Sequence, residues 1–249
     1  DKYCTSIHHV RSANEIISLW NSEYPHSLGL FYSAITDFLG FAINEGEYKM
    51  MGLASFGIPK YYEDLKKIIQ FKDNQLILNL EYFDYVRRID RSYSYLLVDL
   101  LKINPRESNV ALEIGKKNFQ DYADVAASAQ KILEEMLFLI FKHAHNITKE
   151  RKFLFSGGVA MNSAAVSKCS KLKFIHELNI PPSPGDSGAA IGAAYYGFIN
   201  KKNESSDNFI SKNNILNNLF PGQQKSNEDF FDLVFDKIAD NKISLVKVA

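Results

Sequence analysis

Apolar side chains recur at helical spacing over residues 28–39, at Leu28, Phe31, Tyr32, Ile35, Phe38 and Leu39, which predicts an amphipathic helix. Gly40 marks its stop. Residues 61–69 are a second helical candidate, and residues 76–80 a short strand. The clearest helix is predicted over 121–145. There Val125, Ala129, Ile132, Leu133, Met136, Leu137, Ile140, Phe141 and Ala144 form one wide apolar face, the kind a core-packing helix presents. Beyond it the pattern changes. Residues 152–155 are short and aromatic, like a buried strand; Ser156-Gly157-Gly158 is a turn; residues 159–169 are compatible with a helix. The plan then repeats, with a strand at 174–180, a loop at 181–186 and a small-residue helix at 187–198. Two consecutive strand–loop–helix units, each with glycine in its loop, indicate an α/β fold. Polar stretches at 201–208 and 223–228 read as exposed connections.

Composition narrows the function classes. With 249 residues, 46% hydrophobic and 23% charged, the chain has the profile of an ordinary globular protein, long enough to bury a real core. Its 29 basic and 29 acidic side chains cancel, which argues against a mainly electrostatic hold on nucleic acid or on an anionic membrane. Two cysteines, Cys4 and Cys169, exclude a disulfide scaffold and point to a reducing compartment, so a cytoplasmic location is expected. No apolar run approaches the roughly 20 residues that span a bilayer. The first residue is Asp1, not Met.

The candidate chemistry lies in three segments. In Ser156-Gly-Gly-Val-Ala-Met-Asn162, Gly157 and Gly158 stand between a predicted strand and helix, where glycine lets a phosphate approach the backbone. Asn162 follows, with an amide able to donate to phosphate or ribose and to accept from a neighbour. A tight structural turn with a solvent-facing Asn fits the same spacing. In the second loop, Gly185-Asp186-Ser187-Gly188, Asp186 reads either as a helix N-cap or as a metal ligand. A carboxylate beside bound phosphate repels it unless a cation lies between them. The third segment is Gly46-Glu-Tyr-Lys-Met-Met-Gly-Leu-Ala54. Glu47 and Lys49 are either a solvated ion pair or a functional couple. In the latter, Lys49 acts as a point charge on a phosphate or carbamoyl oxygen, and Glu47 orients it or binds a ribose hydroxyl.

Taken in order, these segments resemble the nodulation-type O-carbamoyltransferases. Residues 25–41 resemble the stretch that precedes the family's GEYK-type motif, and Gly46 to Ala54 match that motif. Residues 156–162 resemble its GGVALN loop, and residues 182–194 its P-x-x-GD-x-G-x-x-x-GAA loop. Leu219-Phe-Pro-Gly222 stands where the family tends to have LGP. The resemblance implies an actin-like ATPase and sugar-kinase (ribonuclease H-like) fold, incomplete and with helical insertions. Residues 1–120 would be the remainder of a first lobe, 121–200 a second lobe with the nucleotide and metal loops, and 201–249 a polar connection.

The family uses ATP and carbamoyl phosphate to make carbamoyl-adenylate, then passes the carbamoyl group to a hydroxyl of a sugar or natural product. By match, Asp186 is similar to the family's metal ligand, for iron or magnesium/manganese. Gly157, Gly158, Asn162, Gly185 and Gly188 match its nucleotide loops, and Glu47 and Lys49 lie in the motif near the transfer site. There are departures. The family's HHxxH-type histidines are absent; His8 and His9 do not fit their spacing, and His143 and His145, two apart on a helix, point to different faces. Val166 and Ser167 stand where a second Asn and Gly often occur. The arginine-rich C-terminal block is absent, as is the adenylate-forming domain that would follow. Both ends are therefore expected to be breaks in a longer chain. Two other readings stand beside this one: a tRNA threonylcarbamoyl-transfer relative, and an inactive nucleotide-binding remnant. Neither nucleic acid nor membrane is an expected partner.

Overall fold

A computed structural model describes residues 2–12, 15–116 and 118–202. The chain divides into two units, Asp1–Ala193 and Ala194–Ala249. Of the second, only 194–202, the end of a helix, are described. The expected polar connection lies outside the described residues from residue 203 onward.

The first unit opens with an antiparallel hairpin, β1 (Tyr3–Ser12) and β2 (Glu15–Glu23), in which Ile7 faces Trp20. These are the hairpin's two buried apolar residues. The Trp20 ring packs against Phe71 and His143, at centroid distances of 6.1 and 5.9 Å. Helix α1 (Leu28–Phe38) follows, its N-terminus capped by the Ser27 hydroxyl, which accepts from the Leu30 N–H. Its predicted stripe is buried, and Gly40 beyond it has φ of +67°. The Arg106 guanidinium donates to the carbonyls of Leu39 and Gly40. It thereby neutralises the partial negative charge at the end of α1.

Helix α2 (Glu47–Ala54) leads to a short α3 (Tyr62–Leu65). A second hairpin, β3 (Ile69–Lys72) and β4 (Gln75–Leu78), turns on Asp73 and Asn74, both with positive φ. That is the geometry of a tight two-residue hairpin loop. The helix expected over 61–69 thus ends after its first turn. The β-branched pair Ile68 and Ile69 is fully buried, with Ile69 paired against Leu78; strand pairing wins there over the helical stripe. The strand expected at 76–80 is β4, which starts one residue earlier and ends two residues earlier. Helix α4 (Tyr95–Leu101) completes this half.

The longest element is α5 (Phe119–Thr148), 30 residues. Its apolar face is buried as expected and packs against α1, α2 and α3 and against the segment that follows. It ends at Lys149 in the left-handed conformation, with its N–H bonded to the His145 carbonyl. The repeated plan then appears: β5 (Lys152–Leu154), a 3-10 turn at Gly158–Met161, α6 (Ser163–Cys169), β6 (Glu177–Asn179) and α7 (Gly188–Lys202). Strands β5 and β6 pair in parallel, with Phe153 opposite Leu178. Phe141 of α5 meets Phe153 and Phe155 edge-on, at 5.5 and 5.4 Å, and so seats this sheet on the core.

The helix expected from 159 begins only at Ser163. The Asn162 side chain accepts from the Ala165 N–H and so sets a new helix start. The class is mixed α/β, with three separate two-stranded sheets among the described residues. No helix among them is long and apolar enough to cross a membrane.

Candidate functional site

The two glycine loops lie side by side. The Gly157 N–H donates to the Pro184 carbonyl at 2.7 Å, and the Ser156 hydroxyl donates to the same oxygen at 2.9 Å. Gly157 has φ of +104°, a conformation that requires glycine here. Among the described residues, chain neighbours aside, nothing lies within 4 Å of where a Cβ would stand on Gly157 or Gly158, so this backbone is open to an incoming group. Gly188 is different: a Cβ there would overlap the Ser183 carbonyl, so its smallness serves the turn itself. Gly185 faces the Met161 sulfur. Ser183 and Ser187 close the second loop with a hydroxyl–hydroxyl bond of 2.6 Å.

Asp186 is exposed, and its carboxylate makes no hydrogen bond or ion pair with the described residues. Its backbone carbonyl accepts from the Ala189 N–H.

Asn162 is buried and fully engaged. Its Oδ1 accepts from the Ala165 N–H at 3.0 Å and from Gln130 Nε2 at 3.0 Å, and its Nδ2 donates to Gln130 Oε1 at 2.9 Å. Gln130 comes from the middle of α5 and also accepts from the Tyr32 hydroxyl of α1 at 2.9 Å. Burial pushes the Tyr32 phenol up. The nearby Asn162 amide works against that rise, and the Glu47 and Glu134 carboxylates add to it.

Glu47 stands in the first turn of α2. Its Oε1 accepts from the Ser33 hydroxyl at 2.7 Å and from the Asn44 N–H at 3.0 Å, and its Oε2 accepts from the Gly46 N–H at 3.2 Å. A carboxylate there satisfies the free N–H groups that precede a helix. Lys49 is exposed, with its ammonium 5.8 Å from the Tyr48 ring centre. Two positions apart on a helix, Glu47 and Lys49 do not face each other, and no ion pair joins them among the described residues. Helix α2 nevertheless reaches the start of α6, just after the first glycine loop: the Ser163 hydroxyl lies 3.7 Å from the Met51 sulfur. Glu47, Asn162 and the glycines therefore belong to one neighbourhood, linked through Ser33, Tyr32 and Gln130.

The histidines are placed elsewhere. His9 lies 3.3 Å from Glu150, and His145 stacks on Phe174 at 5.2 Å. His143 is held below its ordinary value by burial. Among the described residues no group of three His, Cys, Asp or Glu side chains could hold a metal ion. Asp186 alone does not make a metal centre.

The buried polar side chains Tyr32 and Gln130 escape a reading of loops and motifs. Their signal is in the stripes themselves: Gln130 interrupts the apolar face of α5, as Asp124 and Ser128 do. Those two face the segment after α2. Asp124 Oδ1 accepts from the Ile58 N–H at 2.9 Å, and the Ser128 hydroxyl accepts from the Tyr61 N–H at 2.9 Å.

Two βα units with adjacent glycine loops, braced by a long helix that also packs on the GEYK segment, define a mixed α/β protein. The family model described as Carbamoyltransferase N-terminus matches residues 2–195, and the chain belongs to that family. It is 34% identical over 183 residues to an uncharacterized protein of Synechocystis sp., covering 73% of this chain and 29% of that one. It is 31% identical over 188 residues to nodulation protein NolNO of Sinorhizobium fredii, covering 74% and 25%. To nodulation protein NolO of Bradyrhizobium diazoefficiens it is 31% identical over 185 residues, covering 74% and 31%. The chain thus spans less than a third of the length of these relatives.

Proposed function

We propose that this chain contributes the nucleotide and transfer region of an ATP-dependent O-carbamoyltransferase with an actin-like fold, acting in the cytoplasm. The donor is carbamoyl-adenylate, made from carbamoyl phosphate and ATP. The acceptor is a hydroxyl of a sugar or natural product. The observation that carries the reading is the juxtaposition of the two glycine loops, with α2 touching the start of α6.

The acceptor oxygen attacks the carbamoyl carbon, the bond from that carbon to the phosphate oxygen breaks, and AMP leaves. The proton of the acceptor hydroxyl passes to a base. The open backbone at Gly157 and Gly158 receives the nucleotide, and Gly185 flanks it. Lys49 supplies a mobile positive charge toward a phosphate or carbamoyl oxygen. Glu47 contributes by fixing the start of α2. Asp186 places a carboxylate at the rim of the loops; a divalent ion carried on nucleotide phosphates needs only one or two protein carboxylates.

The test is binding of a non-hydrolysable ATP analogue to the chain and to Gly158→Val. Space for the new side chain is open in the free protein, so folding is retained while the phosphate's approach is blocked. The expected result is binding weakened by about tenfold or more at an unchanged melting temperature. Equal affinity in the two proteins refutes the placement of the nucleotide.

A further inference from the structure

We infer that Gln130 and Tyr32 are positioning residues that lock the first glycine loop in its ligand-ready form. Asn162 contributes through that lock and not as a direct ligand contact. The functional half of this inference rests on the nucleotide reading above.

The Gln130 side chain is 7% exposed and that of Asn162 8%, and their amides form a reciprocal pair. Each amide has its orientation dictated from outside the pair. The Ala165 N–H is only a donor, so Asn162 must turn its oxygen toward it. The Glu134 carboxylate, 3.1 Å from Gln130 Nε2, is an acceptor, so Gln130 must turn its NH2 that way. Lys168, 2.6 Å from the other oxygen of Glu134, holds that carboxylate in place. The Tyr32 hydroxyl then donates to Gln130 Oε1. Neither amide can flip without stranding a buried group, which makes the pair a fixed latch and not a pair of interchangeable contacts.

The latch joins three elements. Helix α1 enters through Tyr32, α5 through Gln130 and Glu134, and the junction of the 3-10 turn with α6 through Asn162. The adjoining Ser33 holds Glu47 of α2. Val159 in the turn also approaches Gly29 of α1, where a Cβ would stand 3.6 Å from Val159 Cγ2. The exposed glycines at 157 and 158 are thus suspended from a buried point a few residues away.

The experiment uses the full 249-residue chain with the variants Gln130→Met, Tyr32→Phe and, as a control, Asn79→Ala. The Asn79 side chain accepts from the Glu81 N–H just after β4, outside α2 and both glycine loops. Hydrogen exchange is followed in segments 157–165 and 69–78, and affinity is measured for the ATP analogue. In Gln130→Met, exchange over 157–165 should rise about tenfold while 69–78 is unchanged. The analogue should bind about tenfold more weakly. Tyr32→Phe should move both in the same direction by a smaller factor, and it decides the matter if Gln130→Met does not fold. Asn79→Ala should leave the affinity unchanged. Wild-type exchange over 157–165 in the folded variants overturns the latch, and so does an equal loss of affinity in the Asn79 control. A wild-type chain that binds no analogue overturns the nucleotide reading instead, and the exchange result still decides the latch.

Discussion

Replacing Asp124 tests how the GEYK helix is held. The Asp124 carboxylate is 4% exposed and lies on the buried face of α5. One oxygen accepts both from the Ile58 N–H at 2.9 Å and from Gln120 Nε2 at 2.7 Å. The backbone just before Ile58 is pressed against α5 so closely that a Cβ on Gly57 would overlap the Ala123 carbonyl. A hydrogen bond to a charged group contributes about 1.5–3 kcal/mol net. In Asp124→Ala both bonds vanish, and some of the loss is recovered by water at the half-exposed Gln120. A destabilisation of about 2–4 kcal/mol is expected. For a unit of this size that corresponds to a melting temperature lower by roughly 5–15 °C. Asp124→Asn retains an acceptor for Ile58 and should cost about 1 kcal/mol. Urea titration of the three proteins measures the difference. If Ala and Asn cost the same, or if Ala costs under about 1 kcal/mol, the carboxylate does not clamp this segment and the account of how α2 is positioned fails.

Two further outcomes follow from buried titratable groups. Burial against Trp20 and Phe71 holds His143 below its ordinary value of 6.5. The unfolded chain therefore takes up this proton first, and the stability His143 contributes is present above pH 6.5 and lost as pH falls through the lower folded value. Melting temperatures recorded from neutral to mildly acidic pH should fall less steeply for His143→Phe than for wild type, and parallel curves would count against this assignment. Cys169 is 2% exposed, and burial pushes its thiol up to about 11. In the native protein at mildly alkaline pH a thiol reagent should label Cys4 first, with Cys169 reacting only on unfolding; peptide mapping that finds Cys169 labelled natively would contradict the packing of α6.

Much of the helical core was legible because its residues obey one period. The stripes of α1 and α5 bury the residues whose spacing predicts them, and the two strand–loop–helix units appear in order. The first hairpin was not legible. Its strands carry Ser, His, Asn and Thr on both faces, and only Ile7 and Trp20 are inward apolar anchors, so no alternation marks it. The helix expected at 61–69 failed because Ile68 and Ile69 fit a helical stripe and a strand equally well until a partner such as Leu78 is known. At the candidate site, the glycines of the first loop lie where the motif spacing puts them, with open backbone around them. The engagement of Asn162 could not be read from its loop. Its partner is Gln130, 32 positions away, and an uncharged Gln in an apolar stripe gives no local sign of what it meets.

The polar positions on the buried face of α5 have a consequence for what the chain tolerates. Asp124 grips the segment after α2, and Gln130 grips the turn before α6. The two grips are six positions apart on the helix, which is about 9 Å along the axis. Helix α5 is therefore a ruler that sets one motif against the other. Adding or deleting a single residue between these grips would turn everything beyond it by about 100° and throw one of them out of register. A length change at the Asp73–Asn74 turn would disturb neither. Relatives of this chain should vary in length at that hairpin and keep a constant count from Asp124 to Gln130.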